Sequence, residues 1–291
     1  MKRMDRLPSL ARNGIHMPGY EEFVQLRDGS VRFFRLGNGP PLILLHGLGE
    51  GSIVWFSNIT SLAESHTVYA LDLPGHGETY KPVWHLPLTQ GVQFLVEFMD
   101  AVDIDSTSVV GNSMGGLLAL AATLQYPQRV DRLVLESSAG LGKEIAWFLR
   151  FMTLPLIGEL MSRPSRVATR HLLHRIFYDP VFCTEELVDE LYRVRTILGN
   201  KESMLFMLRN GVALRGVKSD VLLTDQLSLV DTKVLLLCGQ NDLIFPVAHA
   251  EQACRAFPNA RLEIFSKCGH WPHVEVCKQF NRIVKDFCFV N

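Results

Sequence analysis

The chain has 291 residues, 47% hydrophobic and 20% charged, so it can bury a full core and lacks the composition of a disordered polymer. Its 29 basic and 30 acidic side chains leave a formal charge of −1, which excludes a general electrostatic attraction to nucleic acid. Six cysteines are scattered over the C-terminal half without a CxxC pair and read as reduced thiols. The basic N-terminal stretch has no apolar signal region, and no apolar run reaches the roughly 18 residues of a spanning helix. A soluble, cytoplasmic protein without stable membrane insertion is expected.

In chain order, Asp28-Gly29 between Phe23–Leu26 and Val31–Leu36 is a hairpin signal. Leu42–Leu45 is a continuous apolar run, the pattern of a strand buried on both faces. Similar runs follow at Val68–Leu71, Ser108–Val110, Leu133–Leu135, Val234–Leu237 and Leu262–Phe265. Between them the spacing predicts helices over Thr89–Val102, with Thr89 as cap, and over Met114–Tyr126, Val247–Phe257 and Lys278–Phe287. Such alternation is the signature of an α/β fold, a mostly parallel sheet with helices on both faces. Residues 140–228 break the rhythm. They carry helical windows such as Glu185–Leu198, with Leu187, Leu191, Val194 and Leu198 on one stripe. The expected organisation is a core formed by residues 1–139 and 229–291, interrupted by a helical cap over 140–228.

The strongest chemical signal is Gly111-Asn112-Ser113-Met114-Gly115, placed between a predicted strand and a predicted helix. G-x-S-x-G in that setting is a nucleophile elbow: small residues permit a tight turn, and a helix N-terminus beneath the serine stabilises developing negative charge. No HExxH, GxxxxGK[ST] or GxGxxG pattern is present, so no metal and no cofactor are expected.

With these residues the chain resembles an α/β-hydrolase. The likeness runs from about residue 20 to the end and includes His46-Gly47-Leu48-Gly49, Asp72-Leu73-Pro74-Gly75-His76-Gly77, Gly239-Gln240-Asn241-Asp242 and Gly269-His270. It implies Ser113 as nucleophile, Asp242 as acid and His270 as base, in the chain order this fold uses. Glu136, at the end of the Leu133–Leu135 run, occupies the place a minority of these enzymes use for the acid. Backbone N–H groups of Leu48 and Met114 would form the oxyanion hole. Serine at position 113, rather than aspartate, disfavours a halide-displacing or epoxide-opening enzyme.

Within the superfamily, Asn112 and the stretch Phe265–Trp271 are similar to carbon–carbon hydrolases that split aromatic meta-cleavage products. Those enzymes hold the substrate carboxylate with a cap arginine, and the corresponding position here is Leu191, followed by Tyr192. Arg195 points about 40° from the direction of Leu191 and is the neighbour able to substitute. The cap is rich in Trp147, Phe148, Phe151, Met152, Leu156 and Met161, which suits a neutral ligand as well as ordinary packing. The expectation is a carboxylic-ester hydrolase for small or medium apolar substrates, with Asn112, Trp147, Leu191 and Trp271 in contact with substrate. The alternatives are a carbon–carbon hydrolase and a ligand receptor on a hydrolase scaffold.

Overall fold

The computed structural model describes residues 5–8, 15, 17–82 and 87–289. Nine strands form one sheet: β1 (Asp5–Pro8), β2 (Tyr20–Gln25), β3 (Ser30–Leu36), β4 (Pro41–Leu45), β5 (Thr67–Leu71), β6 (Thr107–Asn112), β7 (Val130–Glu136), β10 (Lys233–Gly239) and β11 (Ala260–Phe265). Their spatial order is β1-β2-β3-β5-β4-β6-β7-β10-β11. The pairs β1–β2, β2–β3 and β3–β5 are antiparallel, and every pair from β5 to β11 is parallel.

The apolar runs become central strands because both faces are covered. Ile43 and Leu45 point into one core cluster, with Val109, Leu133 and Leu236; Leu42 and Leu44 point into the other, with Val110, Val134 and Leu235. Alternate side chains of one strand thus fill opposite layers. Helices α2 (Pro87–Ala101), α3 (Met114–Gln125) and α9 (Val247–Ala256) cover the first face, while α1 (Ile59–Leu62) and α11 (Cys277–Cys288) cover the second. The α2 helix begins at Pro87, so Thr89 lies inside its first turn rather than capping it. Proline tolerates that opening position because its missing N–H has no partner to lose.

Between β7 and β10 the chain forms α4 (Trp147–Phe151), α5 (Ile157–Met161), α6 (Arg166–Ile176), α7 (Glu185–Thr196) and α8 (Asn200–Gly211). Ser165 Oγ accepts from the Ala168 N–H, and Thr184 Oγ1 from the Leu187 N–H, so α6 and α7 start at side-chain caps. A two-residue hairpin, β8 (Val212–Ala213) with β9 (Gly216–Val217), also lies here and has no signal in the sequence. No helix among the described residues is long and apolar enough to cross a membrane.

A buried polar cluster fixes the loops after β4 and β5. Asp72 accepts hydrogen bonds from the Ser52 amide and hydroxyl at 2.7 and 2.6 Å, from the Glu78 amide at 2.9 Å and from Arg32 at 3.1 Å. Burial by itself would raise the Asp72 carboxyl, but Arg32, His46 and the hydrogen bonds from Ser52 and Glu78 together outweigh it and hold the group at about 2. His46 Nε2 accepts from the Leu73 amide at 3.0 Å, tying the two loops at the mouth of the sheet.

Candidate active site

The loops at the carboxyl ends of β4, β5, β6, β10 and β11 meet the helices α4–α8 around a cavity of about 370 Å³. Open α/β sheets bind ligands in this place, where the strand ends leave a crevice. Ser113 and His270 both line the cavity, with Leu48, Gly49, Glu50 and Ile244 beside them and Trp147, Phe148, Met152 and Met161 from the cap.

Ser113 stands between β6 and α3 with φ 53° and ψ −114°, a conformation that L-residues rarely adopt. The turn is held from all sides. The Ser113 amide donates to the Glu136 carbonyl at 2.9 Å, and its carbonyl accepts from the Gly116, Leu117 and Ala139 amides. A Cβ on Gly115 would lie 2.4 Å from the Leu45 carbonyl oxygen, and one on Gly111 would lie 2.4 Å from the Gly115 oxygen. The two glycines of the motif therefore exist to let α3 start against the end of β4. Met114 is the first residue of α3, and its side chain faces a separate cavity of about 250 Å³ on the far side of the turn.

His270 lies in the loop between β11 and α10 (Pro272–Glu275). Its Nδ1 is 2.7 Å from Asp242 Oδ2, and both side chains are almost fully buried. The other oxygen, Oδ1, accepts from the Ile244 and Phe245 amides at 2.7 and 3.2 Å, which fixes the carboxylate plane. An ionised carboxylate only accepts, so Nδ1 carries the hydrogen and Nε2 keeps its lone pair. Burial depresses the imidazole, but the Asp242 charge and hydrogen bond outweigh it, with Glu50 and Glu136 adding, so its affinity for a proton is raised. The loop is tied to the cap: the His270 amide donates to the Ile176 carbonyl at 2.7 Å. Glu275 accepts from Gly269 at 2.6 Å, Tyr178 at 2.8 Å and Asp179 at 3.0 Å.

Glu136, the other candidate acid, faces elsewhere. It is fully buried and accepts from the His273 amide and Nδ1 at 2.8 and 2.9 Å, forming a second carboxylate–imidazole pair behind the cavity.

Three of the four residues expected to touch substrate stand behind the cavity wall; only Trp147 lines it. Asn112 is buried, and its Nδ2 donates to the His270 carbonyl at 3.3 Å, so it supports the histidine loop. Trp271 is buried with its ring 5.5 Å from Phe177 and 5.4 Å from His273. Leu191 belongs to the core cluster with Leu187, Val188 and Val194, because the apolar stripe of α7 packs on protein. One turn further along α7, Arg195 does line the cavity. Its Nε is buried with no hydrogen-bond partner among the described residues, and burial disfavours its charge while Glu50 supports it. Glu50 is itself buried, accepts from the Gly47 amide at 2.8 Å, and is raised by desolvation. Arg163, Arg175 and Lys201 also face the cavity, against Glu50 as the only carboxylate lining it among the described residues. The apolar cap composition did not announce this basic rim. Of its members the sequence singled out Arg195 alone, by its small angle from Leu191 on α7.

A mostly parallel sheet flanked by helices, with a strained serine and a carboxylate-held histidine facing one cavity, defines a hydrolase of the α/β class. The chain matches the model of the "Alpha/beta hydrolase family" over residues 42–283, and it belongs to that family. It is 30% identical over 270 residues to a 2-hydroxy-6-oxo-6-phenylhexa-2,4-dienoate hydrolase of Comamonas testosteroni, covering 90% of this chain and 92% of that one. It is also 31% identical over 265 residues to a dihydrolipoyllysine-residue acetyltransferase component of an acetoin cleaving system of Cupriavidus necator, covering 91% of this chain and 68% of the relative. A solved structure of the meta-cleavage product hydrolase of Pseudomonas fluorescens IP01 is similar with a TM-score of 0.78 and 27% identity, over 97% of this chain and 96% of that one.

Proposed function

We propose that the protein hydrolyses carboxylic esters of small or medium apolar substrates through an acyl-enzyme on Ser113. His270 Nε2 takes the Ser113 proton as Oγ attacks the ester carbonyl, and it returns that proton to the departing alkoxide. Asp242 holds the imidazole in the required tautomer, and the Leu48 and Met114 amides receive the oxyanion. Water, deprotonated by the same histidine, then splits the acyl-enzyme and releases the acid. The observation that carries this reading is the 2.7 Å contact between Asp242 and His270, with His270 and Ser113 on one cavity wall. The apolar side chains of Trp147, Phe148, Met152 and Met161 on that cavity favour an acyl group without charge.

A second reading is a carbon–carbon hydrolase for a dienoate. Arg195 favours it, since a guanidinium on the cavity wall whose buried Nε has no hydrogen-bond partner among the described residues suits a substrate carboxylate. The similarity to dienoate hydrolases favours it too. The same serine, histidine and aspartate serve both, except that the leaving group accepting the proton is then carbon.

The experiment is a comparison of initial rates on p-nitrophenyl esters of graded chain length and on one ring-fission dienoate, for wild type and Ser113→Ala. Ester turnover that vanishes in Ser113→Ala is expected. Unchanged turnover in the variant overturns the nucleophile, and a faster dienoate rate selects the second reading. A receptor on this scaffold would turn over at most very slowly.

A further inference from the structure

Two short cap helices carry an exposed apolar surface whose outermost residues, Leu156 and Leu160, do not line the cavity. Leu156 is 82% exposed, Leu160 63% and Trp147 56%, with Phe151, Ile157 and Met161 also exposed beside them on α4, α5 and the turn between. Contiguous apolar exposure of this kind marks an interaction surface rather than an ordinary monomer exterior. It is continuous with the cavity, because Trp147 and Met161 belong to both.

The most exposed residue is also strained. Leu156 has φ 66° and ψ −42°, and the Ile157 amide donates to the Pro155 carbonyl at 2.8 Å, which closes a positive-φ γ-turn around it. A β-carbon is disfavoured there, and glycine would remove the cost. Holding a leucine outward in such a turn has no packing reward inside this chain.

The charge around the patch is predominantly basic. Residues 147–176 contain Arg150, Arg163, Arg166, Arg170 and Arg175 but one carboxylate, Glu159, which pairs with Arg209 at 2.8 Å. Arg166 and Arg170 pair with Glu185 and Asp189 of α7. Arg150, Arg163 and Arg175 have no carboxylate partner among the described residues. In a chain of charge −1, this is a local basic field around an apolar tip.

We propose that this face docks on an anionic lipid surface, with Leu156 and Leu160 entering the headgroup boundary and the arginines meeting lipid phosphates. Apolar side chains in the interface with arginines around them are the two contributions that peripheral lipid binding needs. No spanning helix is required. The geometry sets the cavity mouth against the interface, so an amphiphile leaving the lipid meets Trp147 first.

The test is co-sedimentation of the whole protein with vesicles of phosphatidylcholine alone and of phosphatidylcholine with phosphatidylglycerol. Binding to the anionic vesicles, weakened by added salt, is expected, with little binding to the neutral ones. Leu156→Asp with Leu160→Asp should weaken it by about tenfold or more per leucine, the partition of one buried side chain. Turnover of a short water-soluble ester should be unchanged, since neither residue lines the cavity. Leu156→Gly guards against a folding defect: it should weaken binding while raising the melting temperature. No vesicle binding by wild type, or binding indifferent to all three substitutions, overturns the proposal. So does a wild-type dimer in light scattering that the double aspartate variant dissociates, because a second copy would then own the patch. Vesicle binding is read without substrate, so it fails or succeeds separately from the ester assignment.

Discussion

Asp242 Oδ2 meets His270 Nδ1 at 2.7 Å, while Asp242 Oδ1 is held by the amides of Ile244 and Phe245, so the carboxylate has no freedom to swing away from the imidazole. This arrangement assigns the two candidate acids different partners. Asp242→Asn should lower kcat on the order of 10⁴, as expected when the wrong histidine tautomer is stabilised. Glu136→Gln should leave kcat within about tenfold and lower stability by about 1–3 kcal/mol, because its partner is His273. Steady-state rates and denaturant unfolding of both variants check the pair, and the reverse ranking of kcat would move the acid to Glu136.

The pH dependence follows from the same contact. Burial lowers the His270 imidazole, and Asp242 together with Glu50 and Glu136 more than restores it, so the folded value lies above the ordinary histidine value of about 6.5. Only neutral imidazole accepts the Ser113 proton, so activity should rise with pH through an inflection above that value. Asp242→Asn leaves burial without its opponent and should move the inflection to lower pH. In stability the sign is opposite. The raised group contributes below its unfolded value, and the contribution is lost as pH climbs through the folded one. Rate profiles and unfolding curves from acid to alkaline pH measure both.

Arg195 separates the two substrate classes. Arg195→Met should reduce kcat/KM for a carboxylate-bearing dienoate by the equivalent of about 1.5–3 kcal/mol and leave a neutral ester little changed. Leu191→Arg should not create a dienoate hydrolase. Leu191 is 1% exposed inside a core cluster, and a guanidinium forced there costs several kcal/mol of stability. Specificity constants on both substrates and a melting curve of Leu191→Arg decide this. A folded Leu191→Arg with a gained dienoate rate would show that the leucine does reach substrate.

Strain at the elbow gives a prediction about stability alone. Ser113 is held at φ 53° by four backbone hydrogen bonds. Ser113→Gly should therefore raise stability by about 1–3 kcal/mol while abolishing turnover. Ser113→Ala keeps the β-carbon and should leave stability close to wild type. Equal melting temperatures for the glycine and alanine variants would count against strain at this position.

The sequence by itself determined the parts that local pattern controls. Continuous apolar runs mark β4, β6, β7 and β10, since strands covered on both faces need no polar alternation. Gly111-Asn112-Ser113-Met114-Gly115 marks the elbow, since a side chain at Gly115 would collide with the Leu45 carbonyl and one at Gly111 with the Gly115 backbone. The Asp5–Pro8 strand and the Val212–Val217 hairpin left no pattern because a few residues at an edge carry no periodicity. Tertiary structure alone decided which carboxylate meets which histidine. Glu136 ends β7 and Asp242 lies in the loop after β10, and the path of the chain after β11 sends His270 to Asp242 and His273 to Glu136. It also turned Asn112 and Trp271 inward and chose Arg195 over Leu191 for the cavity. A helical stripe has two edges, and sequence shows that they differ without showing which one meets the core and which one meets the site.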